Sequence, residues 1–218
     1  MTGAILRFFL TFALVYLALW ALLSLTPIGY KYHSLLKNTC QTLFGSFAGP
    51  GVAKFDLVQG DDDPQEKMRV IIYNGDQKRA VEQKVKMNPA LAKTLSYPGS
   101  TGHIRLWVFA TLPLLFLWAL ILSSPVNWKR KIGSIVLGTL FMQGFVFLKF
   151  YLYMLKEFNL NDEIDVVYLT ESSERMVNFS YNLFENIGIA LVLAVILWAM
   201  LTFKGSDFNK FSKLLKPE

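Results

Sequence analysis

Long apolar blocks dominate the hydrophobic pattern of the chain, and each is long enough to cross a membrane. Four such blocks occupy residues 4–27, 106–125, 132–155 and 186–203. An α-helix rises about 1.5 Å per residue, so about 20 apolar residues span a hydrocarbon core of roughly 30 Å. The pattern therefore predicts a mainly α-helical integral membrane protein with four transmembrane helices. The first helix is predicted to begin near Leu6 and to stay uncleaved, because its apolar run exceeds the roughly 7–15 residues of a signal peptide.

The segment between the first two blocks predicts a small extracytoplasmic module that contains one helix and several strands. In residues 31–47, apolar or small side chains recur at helical spacing, which is typical of an amphipathic helix that lies on a surface. Strand-like runs follow at 53–59, 67–74 and 79–87. The last two flank "NGDQ", and an Asn-Gly pair is a strong hairpin signal. We therefore predict a small antiparallel sheet beside an amphipathic helix.

Charges in the short loops predict how the helices are oriented. The loop between the second and third blocks carries Lys129, Arg130 and Lys131 without an acid, whereas residues 156–177 hold six acids and two bases. Bases also outnumber acids in the tail, residues 204–218. Because cytoplasmic loops are enriched in Lys and Arg, both termini and the basic loop are predicted to be cytoplasmic.

These features divide the chain into four predicted parts. They are transmembrane helix 1 (1–27), the extracytoplasmic module (28–104), transmembrane helices 2–4 with the outer loop 156–177 (105–203), and a cytoplasmic tail (204–218). The formal net charge of +6 comes largely from bases that flank apolar segments, where they meet anionic lipid headgroups. Lipids are therefore expected partners, and nucleic acid is not.

Few residues are suited to catalysis or to metal binding. The chain has one cysteine, Cys40, and two histidines, His33 and His103, which are too few for a usual Cys/His metal site. A thiolate nucleophile needs a base within hydrogen-bond distance, yet His33 lies two helical turns from Cys40, and His103 would have to approach from a loop. Cys40 falls on the apolar stripe of the amphipathic helix, so a structural role is favoured. No catalytic residue, metal or cofactor is predicted.

Two further polar features are interpreted as structural. The run "GDDDPQE" (60–66) could offer carboxylates to Ca²⁺, but it lacks EF-hand spacing, and Asp and Pro favour turns. Residues 88–105 are rich in Pro and Gly and are predicted to be a loop returning to the membrane. Within that loop, His103 and Arg105 directly precede the second apolar block and are interpreted as interfacial anchors.

One pair of opposite charges is predicted to meet at the outer membrane surface. Counted from the outer ends of the third and fourth helices, Lys149 and Glu185 lie at about the same depth, and consecutive antiparallel helices would bring them together. A polar stripe at helical spacing accompanies Glu185 and consists of Asn178, Asn182 and Asn186. The apolar runs 132–148 and 187–203 nearly span a bilayer without either charge. We therefore predict a structural ion pair at the membrane rim.

The order of elements resembles the small membrane proteins that accompany exosortases, the polytopic transpeptidase-like enzymes of Gram-negative bacteria. The shared order is an N-terminal helix, a short β-rich outer segment, a loop with Asn88 and Pro89, and three further spans with the basic hinge "WKRK" (128–131). The resemblance implies an accessory partner and not the enzyme. Exosortases need a Cys with partner Arg and His at the outer ends of membrane helices, and this arrangement is missing here.

Taken together, the sequence favours a non-enzymatic accessory or assembly subunit of a bacterial inner-membrane envelope complex, acting in protein sorting or surface-polymer export. Its partners would be other inner-membrane or periplasmic proteins, bound through the outer module and the helix ends 149–158 and 178–186. A second hypothesis is a small transporter or channel subunit whose path is lined by Gln143, Lys149, Glu185 and Asn186. A third is a membrane enzyme with Cys40 as nucleophile and His33 or His103 as base.

Overall fold

The computed structural model describes residues 2–60, 63–89 and 95–203, and most of these are helical. The helices are α1 (Thr2–Leu25), α2 (Pro27–Phe44), α3 (Gly75–Met87), α4 (Leu112–Ser123), α5 (Trp128–Leu160), α6 (Glu171–Glu185) and α7 (Ile187–Thr202). A π-helical turn, Trp107–Thr111, precedes α4, and a 3-10 turn, Asp162–Ile164, follows α5. The strands are β1 (Ser46–Phe47), β2 (Gly51–Gly60), β3 (Asp63–Asn74) and β4 (Gly99–Arg105). The predicted combination of a mainly helical chain and a small antiparallel sheet is confirmed.

The chain divides into two compact units. Among the described residues, the first unit contains 2–29, 108–146 and 186–203, and the second contains 30–107 and 147–185. The boundary at 146/147 falls inside α5, and the boundary at 185/186 falls between α6 and α7.

The first unit consists of apolar helices, with α4 packed against both α1 and α7. Side-chain hydrogen bonds supplement this packing: Trp198 Nε1 donates to Ser124 Oγ over 2.7 Å, and Ser134 Oγ donates to the Leu201 carbonyl over 2.8 Å. Such bonds are well placed between apolar helices, because a buried polar group without a partner is costly.

Two helices in the described part of the chain are long and apolar enough to cross a membrane, Ile5–Leu25 and Trp128–Leu160. A third candidate arises if α6 and α7, which meet at a bend of 72°, are taken as one span. The predicted second span corresponds to a shorter apolar helix, Trp107–Ser123. The described helices therefore provide two or three candidate spans where the sequence predicts four.

In the second unit the four strands form one antiparallel sheet in the order β1-β2-β3-β4. The register pairs Phe55 of β2 with Val70 of β3, and Val70 with Gly102 of β4. The predicted third strand, 79–87, is wrong, because these residues belong to α3. Asn74 explains the difference. Its side chain accepts hydrogen bonds from the backbone amides of Asp76 and Gln77, and it therefore starts a helix where a hairpin turn was predicted.

The fourth strand comes from the segment that was predicted to be a loop, so the prediction for 99–105 is also wrong. The amphipathic helix is confirmed, although α2 begins at Pro27, four residues earlier than predicted. Pro27 does not break this helix but opens it, since the first position of a helix needs no backbone N–H donor.

One face of the sheet is covered by helices. The ring of Phe55 lies edge-on to that of Phe150 in α5, with 6.3 Å between centroids, and the ring of Phe47 stacks on that of Phe158 at 5.4 Å. From α2, the Gln41 side chain donates to the Ala53 carbonyl and accepts from the Phe55 amide, both over 3.0 Å. The end of α5 therefore packs on the covered face, and the Gln41 side chain joins α2 to the outer edge of β2.

Candidate functional site

The predicted charge pair lies in a polar cluster of the second unit, where the end of α5 approaches α6. Lys149 is the largest fully buried side chain, with 2 % exposure, whereas Glu185 is exposed at the end of α6. The carboxylate of Glu185 attracts the Lys149 ammonium electrostatically, and it also accepts a hydrogen bond from the Tyr181 hydroxyl. The structure thus places the two predicted residues in one electrostatic cluster, where Tyr181 holds the carboxylate.

Aromatic rings complete this cluster. The rings of Tyr153 and Tyr181 lie 6.0 Å apart, and the Lys156 ammonium lies over the Tyr181 ring, 4.4 Å from its centroid. Lys149, Tyr153 and Lys156 follow one another at i, i+4 and i+7 along α5, so they share one face of that helix. Tyr181 and Glu185 have the same four-residue spacing along α6. Tyr153 and Tyr181 were not predicted from the sequence, although their spacing from the predicted charges would have identified them.

Geometry of this kind is suited to holding two helices together. A cation over a tyrosine ring and an opposite charge beside a buried ammonium are both stabilising. Burial of a Lys ammonium without such partners is unfavourable, so removal of the Glu185 carboxylate should destabilise the contact between α5 and α6. The cluster therefore offers cation–π and charge–charge contacts between α5 and α6.

The predicted asparagine stripe is divided between two elements. Asn178 and Asn182 lie on α6, whereas Asn186 lies beyond its end and is the N-cap of α7. The Asn186 side chain accepts a hydrogen bond from the Gly188 amide over 2.8 Å. An N-cap satisfies amides that otherwise lack partners at the start of a helix, so Asn186 has a local structural role.

The predicted topology anchors lie at the start of α5. Lys129 is exposed, and the Lys131 ammonium lies 5.1 Å from the centroid of the Trp128 ring. The Arg130 amide donates to the Asn127 side chain over 3.0 Å, which identifies Asn127 as a cap of this helix. The basic residues of the tail, 204–218, lie outside the described residues.

Cys40 does not have the surroundings of a nucleophile. It is fully buried, with 0 % exposure, and this burial raises the pKa of its thiol to about 12. Reactive cysteines instead have a lowered thiol pKa and an electropositive, accessible environment. His33 is also buried and lies edge-on to the Trp107 ring, 6.4 Å between centroids, while His103 is exposed on β4. The structural role predicted for Cys40 agrees with this burial.

No group of three or more metal-ligating side chains is found among the described residues. The middle of the acidic run 60–66, Asp61 and Asp62, lies outside them. The ends of the neighbouring strands, Gly60 and Asp63, are paired with each other, so this run joins β2 to β3. A turn was predicted here, and the hairpin of β2 and β3 is consistent with it.

His103 and Arg105, which were predicted as membrane anchors, are residues of β4. Their side chains lie on the open face of the sheet, together with other bases that are far apart in sequence. Only the strand register brings them together, and the sequence does not reveal that register because 99–105 has few β-branched or aromatic residues.

No family model matches the chain, and the comparisons with curated proteins and with solved structures give no match. The apolar helices are compatible with a membrane protein. The mainly helical fold with its small antiparallel sheet is known from the structure and not from any related protein.

Proposed function

We propose that the protein is a non-enzymatic accessory or assembly subunit of a bacterial inner-membrane envelope complex, which acts in protein sorting or surface-polymer export. It has four membrane spans, with both termini in the cytoplasm and residues 28–104 and 156–177 on the outer side. Its outer module binds partner proteins of the envelope. An exosortase is the partner enzyme that the resemblance in element order implies.

The observation that carries this proposal is the construction of the sheet. Its covered face packs on the end of α5, which contains one candidate span, and the edge of β2 is bonded by Gln41 of α2, which follows the candidate span Ile5–Leu25 after one residue. The other face presents exposed charged side chains. A module that is built on membrane helices and leaves a charged face open is suited to binding and not to chemistry.

In vivo photo-cross-linking tests the proposal. A photoreactive amino acid replaces Thr101, which is exposed on β4, and in a second strain it replaces Met200, which is exposed on α7. Specific protein adducts from Thr101 in the membranes of the producing bacterium would support a partner at the outer module. Adducts with lipid alone at both positions would contradict an accessory role.

Cysteine labelling tests the orientation in intact cells. In a Cys40→Ala background, Glu171→Cys should react with an impermeant maleimide, whereas Lys129→Cys should react only after the membrane is permeabilised. Both positions are exposed in the structure, so the difference reports sidedness and not burial. The reverse pattern would invert the proposed topology.

A transporter or channel subunit remains a second candidate because one charged side chain, Lys149, is buried inside a helix long enough to span a membrane. Buried charges in membrane helices commonly serve ion or proton pathways. Glu185→Gln distinguishes the two candidates. A change in ion flux through reconstituted vesicles would favour transport, whereas reduced thermal stability with no flux would favour a structural clamp between α5 and α6.

A further inference from the structure

The open face of the sheet concentrates positive charge. Alternate residues of a strand point to the same face, so the outward positions within 52–58, 67–71 and 99–105 form one surface. Tyr73, the next such position of β3, is buried against Tyr97 and Lys78. The charged members of this surface are Lys54, Asp56, Lys67, Arg69 and Arg105, and His103 lies among them. Asp56 is the one carboxylate among those outward positions, so the surface has a clear positive excess.

The register places bases directly opposite one another. Lys67 pairs with Arg105, and Arg69 pairs with His103. Like charges at directly opposed positions destabilise a sheet, because their Cβ atoms lie about 5 Å apart. The ion pair between Arg69 and Asp56, at 3.4 Å with both side chains about half exposed, offsets little of this cost.

The edge of β4 adjoins this surface. On the far side of the sheet, the edge of β2 is covered by β1 and by the Gln41 side chain, which bonds the backbone of Ala53 and Phe55. Among the described strands, β4 pairs with β3 alone. Gly99, Ser100, Thr101 and Gly102 give its first half small side chains, so another chain could approach this backbone closely.

We propose that the β4 edge and the adjoining basic surface bind an acidic, extended segment of a partner protein, which adds to the sheet as a fifth strand. Backbone hydrogen bonds to β4 would align the segment, and alternate carboxylates would contact His103 and Arg105, which are two residues apart on one face. This inference rests on the proposed accessory function and specifies the chemistry of the partner.

Lipid headgroups fit this surface less well than a protein segment does. The covered face of the sheet packs on α5, which contains a candidate span, and Gln41 of α2, the helix that follows the other candidate span, bonds the edge of β2. The basic surface is the opposite face of the same sheet, and it is therefore turned away from these helices. An open backbone edge is also of no use to a lipid headgroup, whereas it is the defining contact of an added strand.

Binding of a model peptide to the full chain in nanodiscs tests the proposal. The probe is a fluorescent peptide of alternating Thr and Glu, and its anisotropy is measured at low and moderate salt. Arg105→Gln should weaken its binding about tenfold, since a charge-assisted contact is lost. Lys84→Gln is the matched control, because it removes one exposed base from α3 and leaves the sheet unchanged, so binding should stay within about twofold.

Three comparison ligands decide what is recognised. An alternating Thr–Lys peptide and a Thr–Glu peptide with alternate N-methylated amides should both fail to bind, since one lacks the charge and the other cannot form the strand ladder. Equal binding of the N-methylated peptide would overturn strand addition. Binding of a soluble polyuronate as tightly as the acidic peptide would overturn recognition of a protein segment in favour of an anionic polysaccharide.

The peptide-binding experiment and the cross-linking experiment can fail independently of each other. If cross-linking from Thr101 captures envelope proteins but the acidic peptide does not bind, this inference fails and the proposed function stands. If the peptide binds as expected and no envelope protein is ever captured, the surface chemistry is supported and the accessory role fails.

Discussion

The covered and open faces of the sheet are built from the same strands and differ in almost every physical property. On the covered face, Ala53, Phe55 and Val70 are buried under helices. On the open face, Lys54, Asp56 and others at alternating positions are exposed and charged. Since neighbouring side chains of a strand point to opposite faces, a single residue step separates the two environments.

Stability and recognition therefore depend on different faces of the sheet. Substitutions on the covered face should change the free energy of unfolding strongly, because they alter packing that excludes water. Substitutions on the open face should change stability little, because exposed charges contribute little to it. Binding of a charged partner should instead change strongly with substitutions on the open face and little with substitutions on the covered face.

The largest expected effect follows from Phe55→Ala. The Phe55 ring is buried and lies edge-on to the Phe150 ring, so truncation leaves a cavity and should cost about 3–4 kcal/mol. Ile71→Ala on the open face should cost about 1 kcal/mol, since this side chain is only partly buried. Thermal unfolding in a mild detergent, followed by near-UV circular dichroism, measures both. Equal losses for the two variants would show that helices do not cover one face alone.

A smaller but still large effect is expected for Gly102→Ala. A Cβ atom at Gly102 would overlap the hydroxyl oxygen of Tyr153, a buried side chain of α5. The ring must move, which should cost about 2–3 kcal/mol and lower the apparent Tm by about 5–10 °C.

Two variants show whether this clash is the cause. Tyr153→Phe in the Gly102→Ala background removes the hydroxyl oxygen and should restore part of the lost Tm. Gly144→Ala in α5 should leave the Tm unchanged or slightly raised, because no atom lies within 4 Å of the added methyl group and Ala favours a helix. A loss for Gly144→Ala as large as that for Gly102→Ala would rule out the proposed contact.

A third prediction concerns thiol reactivity on the two sides of the module. Because burial raises the pKa of Cys40 to about 12, its thiol should react with iodoacetamide at pH 8 on the order of 10²–10³-fold more slowly than an exposed thiol. Thr101→Cys in a Cys40→Ala background supplies that exposed thiol on the open face. Unfolding in denaturant should abolish the difference, and fast labelling of native Cys40 would contradict its burial.

The raised pKa of the Cys40 thiol should also make the stability of the protein depend on pH in the alkaline range. In the unfolded chain the thiol ionises near its ordinary pKa, whereas in the folded chain it stays protonated until about pH 12. Between these values the folded state binds more protons than the unfolded state, so stability should fall as the pH rises above about 9. Cys40→Ala should show a smaller decrease over that range.

Sequence patterns predicted the amphipathic helix well because its signal is repeated along the helix. The helix contributes Leu36, Cys40 and Phe44 to the covered face, all of them on the predicted stripe. His33 of the same helix is buried as well. Half of the broad apolar stripe packs on the sheet, while Leu35 and Leu43 stay exposed. Periodicity reveals an apolar surface, but it does not say which part another element will cover.

The sheet itself was predicted less well, for identifiable reasons. Val81 and Val85 are four residues apart, a spacing that fits a helix as well as a strand, so the cap made by Asn74 decides the structure of α3. Gly99 and Gly102 argue against a strand, yet β4 pairs with β3 in a register that places Gly102 against the Tyr153 hydroxyl. That contact joins residues far apart in the chain, and local patterns carry no information about it.

The smallest expected change in stability follows from Asp56→Asn on the open face. Asp56 forms an ion pair with Arg69 at 3.4 Å, but both side chains are about half exposed, so the variant should stay within about 0.5 kcal/mol of the parent.

The effect of Asp56→Asn on binding of the acidic peptide should be opposite in sign to that of Arg105→Gln. Removing a carboxylate frees the guanidinium of Arg69 and raises the positive charge of the surface, so the acidic peptide should bind about two- to threefold more tightly at low salt. The gain should disappear at high salt, where exposed charges are screened. Weaker binding by Asp56→Asn would mean that the carboxylate positions Arg69 for the ligand, and the excess of charge alone would then not explain recognition by this face.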